Sequence, residues 1–277
     1  MELKDRVVVI TGGGSGIGEA LARAAHAEGA RHVVVADLNE AQAQRVAKDI
    51  GGTGVGIDVR NEAAIVALVE QTLATHGPID LFASNAGYVT VGGLEDSNER
   101  IQHMWEVHVM AHMYAARAVV PSMIANGGGY LLNTASAAGL MTQIGSLAYT
   151  VTKHGAVALA EWLSITHHHQ GIRVSVLCPQ AVSTNIVANS PDFGGSDGDG
   201  MGSGVAGADG VVTAEDTARA CIETIRAETF HVLPHAEVAT YLTRKAGDVD
   251  RWLAGMRRFQ SALYADQPLP GDAMAKR

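Results

Sequence analysis

A glycine-rich turn between a β-branched run and an alanine-rich run constrains the fold of this chain more than any other segment. The run Arg6–Thr11 (RVVVIT) predicts a buried strand, Thr11–Gly18 (TGGGSGIG) follows it, and Gly16–Glu28 predicts a helix. Glycine permits a tight turn and a close approach of backbone to a diphosphate, and a helix N-terminus offers free N–H groups. The residues expected at the diphosphate are Gly12, Ser15, Gly16, Ile17 and Gly18.

Predicted strands and helices alternate along the chain as far as about residue 233. The further strands are His32–Ala36, Val55–Val59, Ile79–Ser84, Tyr130–Thr134, Arg173–Cys178 and Phe230–Leu233. Three further helices are predicted over Asn61 to about His76, about Asn98–Asn126 and about Tyr149–Gln170. Two more are predicted to begin after the caps Asn39 and Thr213. This alternation predicts an α/β fold, a doubly wound parallel sheet of about seven strands with helices on both faces.

Two segments depart from the alternation. Residues 190–210 are rich in Gly, Asp and Ser and predict a flexible loop, about 188–211. A calcium loop is disfavoured because the Asp spacing fits no EF-hand. The tail from about Glu237 to Arg277 predicts an amphipathic helix that covers the body or a partner subunit. We expect all 277 residues to form a single domain.

The charge balance excludes some classes of protein. The chain has 20 basic and 29 acidic residues, a net charge of −9, which disfavours a nucleic-acid binder that neutralises phosphates. The two cysteines, Cys178 and Cys221, are too few for a disulfide framework and suit a reducing compartment. The N-terminus lacks a signal-peptide pattern, and no apolar stretch approaches about 18 residues. We therefore expect a cytoplasmic protein without a membrane span.

Polar side chains stand at the carboxyl ends of three predicted strands, where ligands of open α/β sheets bind. The residues expected at the cofactor from these ends are Asp37, Asp58, Val59, Asn85, Ala86 and Gly87. Asp37 is expected to bond the ribose hydroxyls of NAD and to repel the extra phosphate of NADP; a mere helix cap is the alternative. Asp58 is equally a candidate cap for the next helix.

Tyr149 and Lys153 stand four residues apart, which places both side chains on one face of a helix. A phenol has an ordinary pKa of about 10, and a neighbouring ammonium lowers it. The pair is therefore a candidate general acid and base.

Taken together, these motifs resemble the short-chain dehydrogenase/reductase family over about residues 3–235. The matching parts are Thr11–Gly18, Asn85–Gly87, Ser136 and Tyr149–Lys153, in that order. The resemblance implies a single-domain Rossmann-type fold and an NAD(P)-dependent alcohol dehydrogenase or carbonyl reductase. It also implies dimers or tetramers that pair through the long helices before and after the fifth strand.

The resemblance implies a role for each site residue. Tyr149 is the acid/base at the substrate oxygen, Lys153 lowers its pKa and holds the nicotinamide ribose, and Ser136 donates a hydrogen bond to the substrate oxygen. The residues implied at the nicotinamide carboxamide are Pro179, Val182 and Thr184.

The chain departs from the family pattern at two positions. His108 stands where an Asn usually orders a water of the proton relay; it either serves that relay or is a satisfied core histidine. Gln180 follows Pro179, where Gly is usual, and is expected to cause a local adjustment only. No metal is expected, because neither His103, His108 and His112 nor the run His167–His169 forms a convincing ligand set.

The leading hypothesis is an NAD-dependent oxidoreductase that interconverts a secondary alcohol and a ketone. The alternatives are an NADP-dependent carbonyl reductase and a nucleotide-binding protein that has lost catalysis. The loops expected around the substrate, Tyr88–Leu94, Ala137–Leu147 and Thr184–Val212, are small and apolar, which favours a hydrophobic small molecule.

Overall fold

A parallel sheet of seven strands forms the centre of the protein, in the order β3-β2-β1-β4-β5-β6-β9. The computed structural model describes residues 1–186, 189–190, 192, 207–266, 268–269 and 271–272. The seven strands are β1 (Val7–Thr11), β2 (His32–Asp37), β3 (Thr53–Gly56), β4 (Leu81–Ser84), β5 (Gly129–Thr134), β6 (Ile172–Leu177) and β9 (His231–Val232). Two short strands, β7 (Val182–Ser183) and β8 (Val212–Thr213), pair beside them. The order reverses between β1 and β4, as in doubly wound folds.

Helices cover both faces of this sheet. They are α1 (Gly16–Ala27), α2 (Glu40–Asp49), α3 (Glu62–His76), α4 (Asn98–Trp105), α5 (Ala111–Ala125), α6 (Leu147–His167), α7 (Ala214–Ala227), α8 (Glu237–Gly247) and α9 (Val249–Leu263). Alternate residues of β1 enter two cores: Val7 and Val9 pack with α3, α5 and α6, and Val8 and Ile10 pack with α1, α2 and α7. A strand buried on both sides must be apolar throughout, which explains its sequence. The predicted fold class is confirmed.

The third strand is Thr53–Gly56, and the prediction of Val55–Val59 is wrong. Gly54 lies so close to α2 that an added Cβ would stand 2.6 Å from the Cα of Gln44. Only glycine permits that approach, although glycine is unfavourable in strands by propensity. The β-branched pattern therefore placed the strand too far along the chain, and Asp58 follows it.

The predicted long helix over Asn98–Asn126 is interrupted. Between α4 and α5 lies a π-helical turn, Glu106–Met110, with His108 at its centre. Such turns are rare and frequently occur at functional sites. The helix predicted over Tyr149–Gln170 begins earlier, at Leu147, and ends in a 3₁₀ turn.

The predicted tail helix is two helices, α8 and α9, which we call the C-terminal hairpin. The rings of Tyr241 in α8 and Trp252 in α9 pack with centroids 6.2 Å apart. Most of the predicted flexible loop, residues 187–188, 191 and 193–206, lies outside the described residues. Among the helices of the described ranges, none has both the length and the apolar character to cross a membrane.

Candidate active site

A cavity of about 930 Å³ opens at the carboxyl ends of the parallel strands, where the strand order reverses. Ligands of doubly wound sheets bind at this place. The predicted site residues that line it are Gly12, Ser15, Gly16, Ile17, Asp37, Asp58, Val59, Asn85, Ala86, Gly87, Ser136, Tyr149, Lys153, Pro179, Val182 and Thr184. The structure therefore brings the glycine-rich turn and the Tyr149–Lys153 pair to one space.

The glycine-rich turn is fitted to its neighbours through backbone atoms. An added Cβ at Gly12 would stand 2.7 Å from the Cα of Ala86, and one at Gly18 would stand 2.1 Å from the carbonyl oxygen of Gly12. Gly12 also has φ +63°, a backbone angle that residues other than glycine rarely adopt. Ser15 is the N-cap of α1 but its side chain makes no capping hydrogen bond, so it leaves the first amides of the helix to the cavity. This cradle fits a diphosphate.

Asn85 joins the ends of three strands. Its backbone N–H donates to Thr11 Oγ1 at 3.0 Å, and its Nδ2 donates to the carbonyl oxygen of Gly12 at 3.2 Å. Its Oδ1 accepts a hydrogen bond from Thr134 Oγ1 at 3.1 Å. The amide thus fixes the turn after β4 against the ends of β1 and β5, which explains the tight Asn-Ala-Gly sequence.

Asp37 is held in place at the end of β2 by two backbone groups. One carboxylate oxygen accepts from Gly14 N–H and the other from Asn39 N–H, both at 2.9 Å. The cap of α2 is Asn39, whose side chain accepts from Gln42 N–H. Each oxygen of Asp37 retains a free lone pair for a ligand, since an ionised carboxylate has about four acceptor sites.

Asp58 also lines the cavity but is paired with a cation. The Arg60 guanidinium contacts both of its oxygens and holds the pKa of the Asp58 carboxyl below its usual range. The cap of α3 is Asn61, whose side chain accepts from Ala64 N–H. Asp58 is therefore not the helix cap that was the alternative.

Tyr149 and Lys153 lie one turn apart on α6 and face β5. Lys153 Nζ donates to the carbonyl oxygen of Thr134 at 3.0 Å and lies 5.6 Å from the centroid of the Tyr149 ring. Burial lowers the pKa of Lys153 to about 7. Burial also raises the pKa of the Tyr149 phenol, and the Ser136 hydroxyl opposes part of that rise. The expectation that Lys153 holds the phenol's pKa below its ordinary value is not met in this structure, because burial has the larger effect.

Ser136 is buried at the end of β5, at the start of a short 3₁₀ turn. Its hydroxyl accepts from Ala138 N–H at 3.1 Å and donates to the carbonyl oxygen of Pro179 at 3.3 Å. A hydroxyl can rotate to donate to a different acceptor. The weak bond to Pro179 therefore leaves this donor available to a substrate oxygen.

The family of this chain is identified by its similarity to known proteins. A family model described as short chain dehydrogenase matches residues 6–193, which is more than half of the chain. The chain belongs to the short-chain dehydrogenase/reductase family. The resemblance inferred from the motifs is thereby confirmed, and with it membership of a family of oxidoreductases.

Curated relatives of this short-chain dehydrogenase/reductase cover most of its length. The 1-deoxy-11-beta-hydroxypentalenate dehydrogenase of Streptomyces exfoliatus is 32% identical over 260 residues, 91% of this chain and 90% of that protein. The mitochondrial borneol dehydrogenase of Lavandula x intermedia is 31% identical over 236 residues, 84% of this chain and 88% of that protein.

Solved structures agree with the fold of this family member. A short chain dehydrogenase/reductase from Burkholderia phymatum in complex with NAD is 28% identical, with a TM-score of 0.79 over 90% of this chain and 96% of that one. A 3-ketoacyl-(acyl-carrier-protein) reductase from Brucella melitensis complexed with NADH is also 28% identical, with a TM-score of 0.72 over 83% of this chain and 96% of that one.

His108, the first departure of this short-chain dehydrogenase/reductase from the family pattern, lies behind the cavity wall. Its Nε2 accepts from Tyr88 N–H at 3.3 Å, so the proton of the neutral ring is on Nδ1, which donates to Thr152 Oγ1 at 3.0 Å. Burial and the charge of Lys153 hold its pKa well below the usual range. An added Cβ at Gly87 would stand 3.2 Å from His108 Nε2, so the glycine permits the contact. The imidazole therefore joins the turn after β4 to α6.

Gln180, the second departure, uses its side chain. Its backbone N–H donates to His235 Nδ1 at 3.3 Å, and its Nε2 donates to one oxygen of Asp209 at 2.9 Å. The other oxygen of Asp209 accepts from the Tyr241 hydroxyl at 2.8 Å. The residue has ordinary backbone angles, outside the left-handed region. It links the segment after Pro179 to the C-terminal hairpin.

The motifs did not predict that the C-terminal tail contributes to the cavity wall. Leu263 and Tyr264, at the end of α9, line the cavity together with Met141 and Ile144 of the predicted substrate loop Ala137–Leu147. The amphipathic pattern of the tail indicated that it covers something, but nothing in the sequence indicated which residues it covers. A pattern on one helix specifies a buried face and leaves its partner undefined.

His112 lies one helical turn after His108 and is fully buried. Neither of its ring nitrogens has a hydrogen-bond partner in the described part of the chain. Burial, with a smaller effect of Lys153, lowers its pKa to about 3. The ring is therefore neutral at physiological pH and contributes no charge to the site.

Proposed function

We propose that this protein is an NAD-dependent dehydrogenase that interconverts a secondary alcohol and a ketone. The observation that carries the proposal is a single cavity whose wall includes the glycine-rich turn, Ser136, Tyr149 and Lys153. Hydride transfer requires cofactor and substrate to be held side by side, and the protein contributes orientation and proton transfer. The relatives named as dehydrogenases, and the solved neighbours with NAD or NADH, support the same reading.

The cavity wall fits a nicotinamide dinucleotide from one end to the other. The proposed contacts are Asp37, Asp58 and Val59 at the adenosine, Gly12, Ser15, Gly16 and Ile17 at the diphosphate, and Asn85, Ala86, Gly87, Tyr149, Lys153, Pro179, Val182 and Thr184 at the nicotinamide half. Gly18 would contribute indirectly, because its lack of a side chain lets α1 lie close to the turn. When bound, the nicotinamide would accept the hydride from the carbinol carbon of the alcohol.

The phenol of Tyr149 would move the proton of the reaction. In the oxidation of the alcohol it would accept the hydroxyl proton as the C–H bond breaks, and in reduction it would return that proton to the carbonyl oxygen. Its raised pKa favours the protonated form, which reduction needs. The charged form of Lys153 would oppose the effect of burial and favour the phenolate, which oxidation needs, and Ser136 would donate a hydrogen bond to the oxygen on which charge develops.

We propose that Tyr149→Phe tests this chemistry directly. The screen incubates the protein with NAD and a set of secondary alcohols and records the absorbance of NADH. The wild-type protein should oxidise at least one alcohol, and Tyr149→Phe should lower kcat by about 100- to 10,000-fold while the Kd for NAD changes little. Undiminished turnover by the variant would refute the role of Tyr149.

The preference for NAD over NADP is inferred from the charges beside Asp37. Arg45 donates to the carbonyl oxygen of Gly14, but Glu19 pairs with it at 2.7 Å. Arg60 is paired with Asp58. Arg45 and Arg60 are thus each paired with a carboxylate, and the Asp37 carboxylate would repel a ribose phosphate.

Asp37→Ala tests that account of cofactor choice. Loss of hydrogen bonds from a charged acceptor costs about 1.5–3 kcal/mol, so the Kd for NAD should rise about 10- to 100-fold. The Kd for NADP should rise less or fall, because the repulsion disappears. Fluorescence titration of both cofactors measures the ratio, and an unchanged ratio would show that Asp37 does not set it.

We also propose that the protein is a homo-oligomer that pairs through the outer faces of α5 and α6. On α6, Val151, Trp162 and Ile165 leave 50%, 57% and 82% of their surface exposed. Large apolar side chains on one helix face are typical of an interface. Light scattering measures the mass in solution, and a monomer would contradict the proposal.

A further inference from the structure

We propose that the C-terminal hairpin is the outer wall of the substrate pocket and that Tyr264 selects which alcohols enter it. The inference rests on the proposed dehydrogenase function and names the chemistry of its substrate. That substrate is a secondary alcohol carried on a bulky, mainly hydrocarbon skeleton. Tyr264 and Leu263 are the two residues that bring the hairpin into the cavity wall.

The tip of Tyr264 lies at the entrance of α6, the helix that carries Tyr149. An added Cβ at Gly145 would stand 2.7 Å from the Tyr264 hydroxyl oxygen, so the phenol tip occupies the space that a side chain at 145 would take. Gly145 immediately precedes Ser146, the N-cap of α6. Tyr264 therefore stands on the rim of the same cavity into which the Tyr149 phenol faces.

The hairpin is attached to the cavity wall at two places. Lys245 Nζ of α8 donates to the carbonyl oxygens of Leu140 and Met141 at 2.7 and 3.3 Å, and Met141 lines the cavity. Tyr241 of α8 donates to Asp209, which also accepts from Gln180 beside Pro179. These two attachments fix α8 to two segments of the cavity wall, at Met141 and at Gln180, and α9 carries Tyr264 to the same cavity.

Beyond the proposed cofactor contacts, much of the cavity wall is apolar. Its apolar members include Val89, Val91, Met141, Ile144, Ile186 and Leu263, beside polar residues such as Thr90, Thr142 and Gln143. Arg100, which also lines the cavity, is paired with Asp96 and Asp192, so it is not available to bind a phosphate or a carboxylate. Ligands of such pockets are held mainly by apolar contact with a few polar groups that fix their orientation.

The experiment compares a small and a bulky alcohol on three variants. Wild type, Tyr264→Ala, Tyr264→Phe and Leu263→Ala are each assayed with isopropanol and with a fused bicyclic alcohol such as decalol. Tyr264→Ala removes apolar contact from the bulky alcohol only, so its kcat/KM for decalol should fall at least about tenfold, which corresponds to about 1.4 kcal/mol. Its kcat/KM for isopropanol should change less than about twofold. Tyr264→Phe separates the ring, which packs, from the hydroxyl.

Two further variants make the result specific. Phe259→Ala removes another aromatic ring from α9 that does not line the cavity, and it should leave the decalol to isopropanol ratio unchanged. Lys245→Met releases the attachment of α8 and should raise KM for decalol while kcat changes little, because Lys245 positions the wall and touches no reacting atom. The Tm and the Kd for NAD of each variant show that it remains folded and binds cofactor.

The possible outcomes separate this inference from the proposed function. If wild type oxidises neither these alcohols nor any other in the screen, the dehydrogenase function is refuted. If wild type oxidises decalol and Tyr264→Ala leaves the ratio of the two substrates unchanged, the hairpin inference is refuted and the dehydrogenase function stands. A fall for decalol alone, absent in Phe259→Ala, supports the hairpin as the specificity wall.

Discussion

The proposed cofactor end of the cavity, formed by Gly12–Gly18 and Asn85–Gly87, and the C-terminal hairpin are each held in place by a different kind of contact. At the cofactor end, backbone meets backbone: an added Cβ at Gly18 would stand 2.1 Å from a carbonyl oxygen. On the hairpin, an added Cβ at Gly255 would meet only the tip of Arg258, at 3.8 Å. The hairpin is attached through side chains: Val238 packs in the core, and the long side chains of Lys245 and Tyr241 reach their partners with their tips.

These two kinds of contact determine which end of the site can change. Backbone atoms in contact cannot move without shifting a strand or a helix, whereas a long side chain can choose another rotamer. We infer that the cofactor end fixes what the family has in common and that the hairpin allows different substrates. The two relatives carry the names of different compounds, a hydroxypentalenate and borneol, which agrees with this division.

Replacing Gly18 should have the largest effect on stability and on cofactor binding. Gly18→Ala forces a Cβ into the carbonyl oxygen of Gly12 and the side chain of Asn85, so α1 must move away from the turn. Overpacking against backbone should cost more than about 3 kcal/mol of the free energy of unfolding. Urea unfolding and NAD titration measure both losses.

Gly255→Ala is the matched control for that variant. It makes the same chemical change inside α9, where space is open, and alanine has the better helix propensity. The free energy of unfolding should rise by about 1 kcal/mol, and the Kd for NAD should stay the same. If both variants lost the same free energy of unfolding, the proposed difference between the cofactor end and the C-terminal hairpin would be wrong.

His108→Leu should have the second-largest effect, because it removes the side chain that joins the turn after β4 to α6. Leucine leaves the partly buried Tyr88 N–H without its acceptor, and Thr152 Oγ1 loses the His108 donor but still donates to the carbonyl oxygen of Tyr149. The unfolding free energy should fall by about 1–3 kcal/mol, and kcat should fall as the turn after β4 loosens.

His108→Asn is the informative partner of that variant, because its amide can accept from Tyr88 N–H and donate to Thr152. It should retain more activity and stability than His108→Leu. Identical, negligible effects of the two variants on kcat and unfolding would identify His108 as an ordinary core residue.

Acid should destabilise the cofactor end through its buried histidines. The folded pKa of His112 is lowered to about 3, and that of His108 is also lowered, whereas in the unfolded chain both are near 6.5. Below about pH 6.5 the unfolded state therefore binds more protons, and stability is lost as pH falls. Each histidine contributes a slope of about 1.4 kcal/mol per pH unit.

His112→Leu isolates one of these slopes. Urea unfolding at several pH values between about 4 and 7 measures the free energy of unfolding. As pH falls, this free energy should decline less steeply in the variant than in wild type, by about 1.4 kcal/mol per pH unit. Removing two unpartnered buried nitrogens should also leave the variant as stable as wild type at neutral pH, or more so. Parallel slopes would show that His112 does not cause the acid sensitivity.

The sequence predicted the position of the glycine-rich turn between β1 and α1 because the signals for that turn are local. Glycines 12, 16 and 18 between a strand and a helix define the cradle without knowledge of any distant contact. Other features depend on partners far away in the chain. The position of β3 depends on the contact of Gly54 with α2, and the place of Tyr264 depends on how the hairpin docks. The pKa of Tyr149 depends on burial, which the spacing to Lys153 does not report.

The π-helical turn at Glu106–Met110 makes the enzyme sensitive to chain length at one point. Since this turn holds one residue more than an α-helical turn, deleting Val109 or Met110 would restore a regular helix and rotate α4 and His108 by about 100° relative to α5. The imidazole would then point away from Tyr88, although the glycine-rich turn, Ser136, Tyr149 and Lys153 would be unchanged in sequence. A one-codon deletion there should therefore harm the protein more than most single replacements in the same segment.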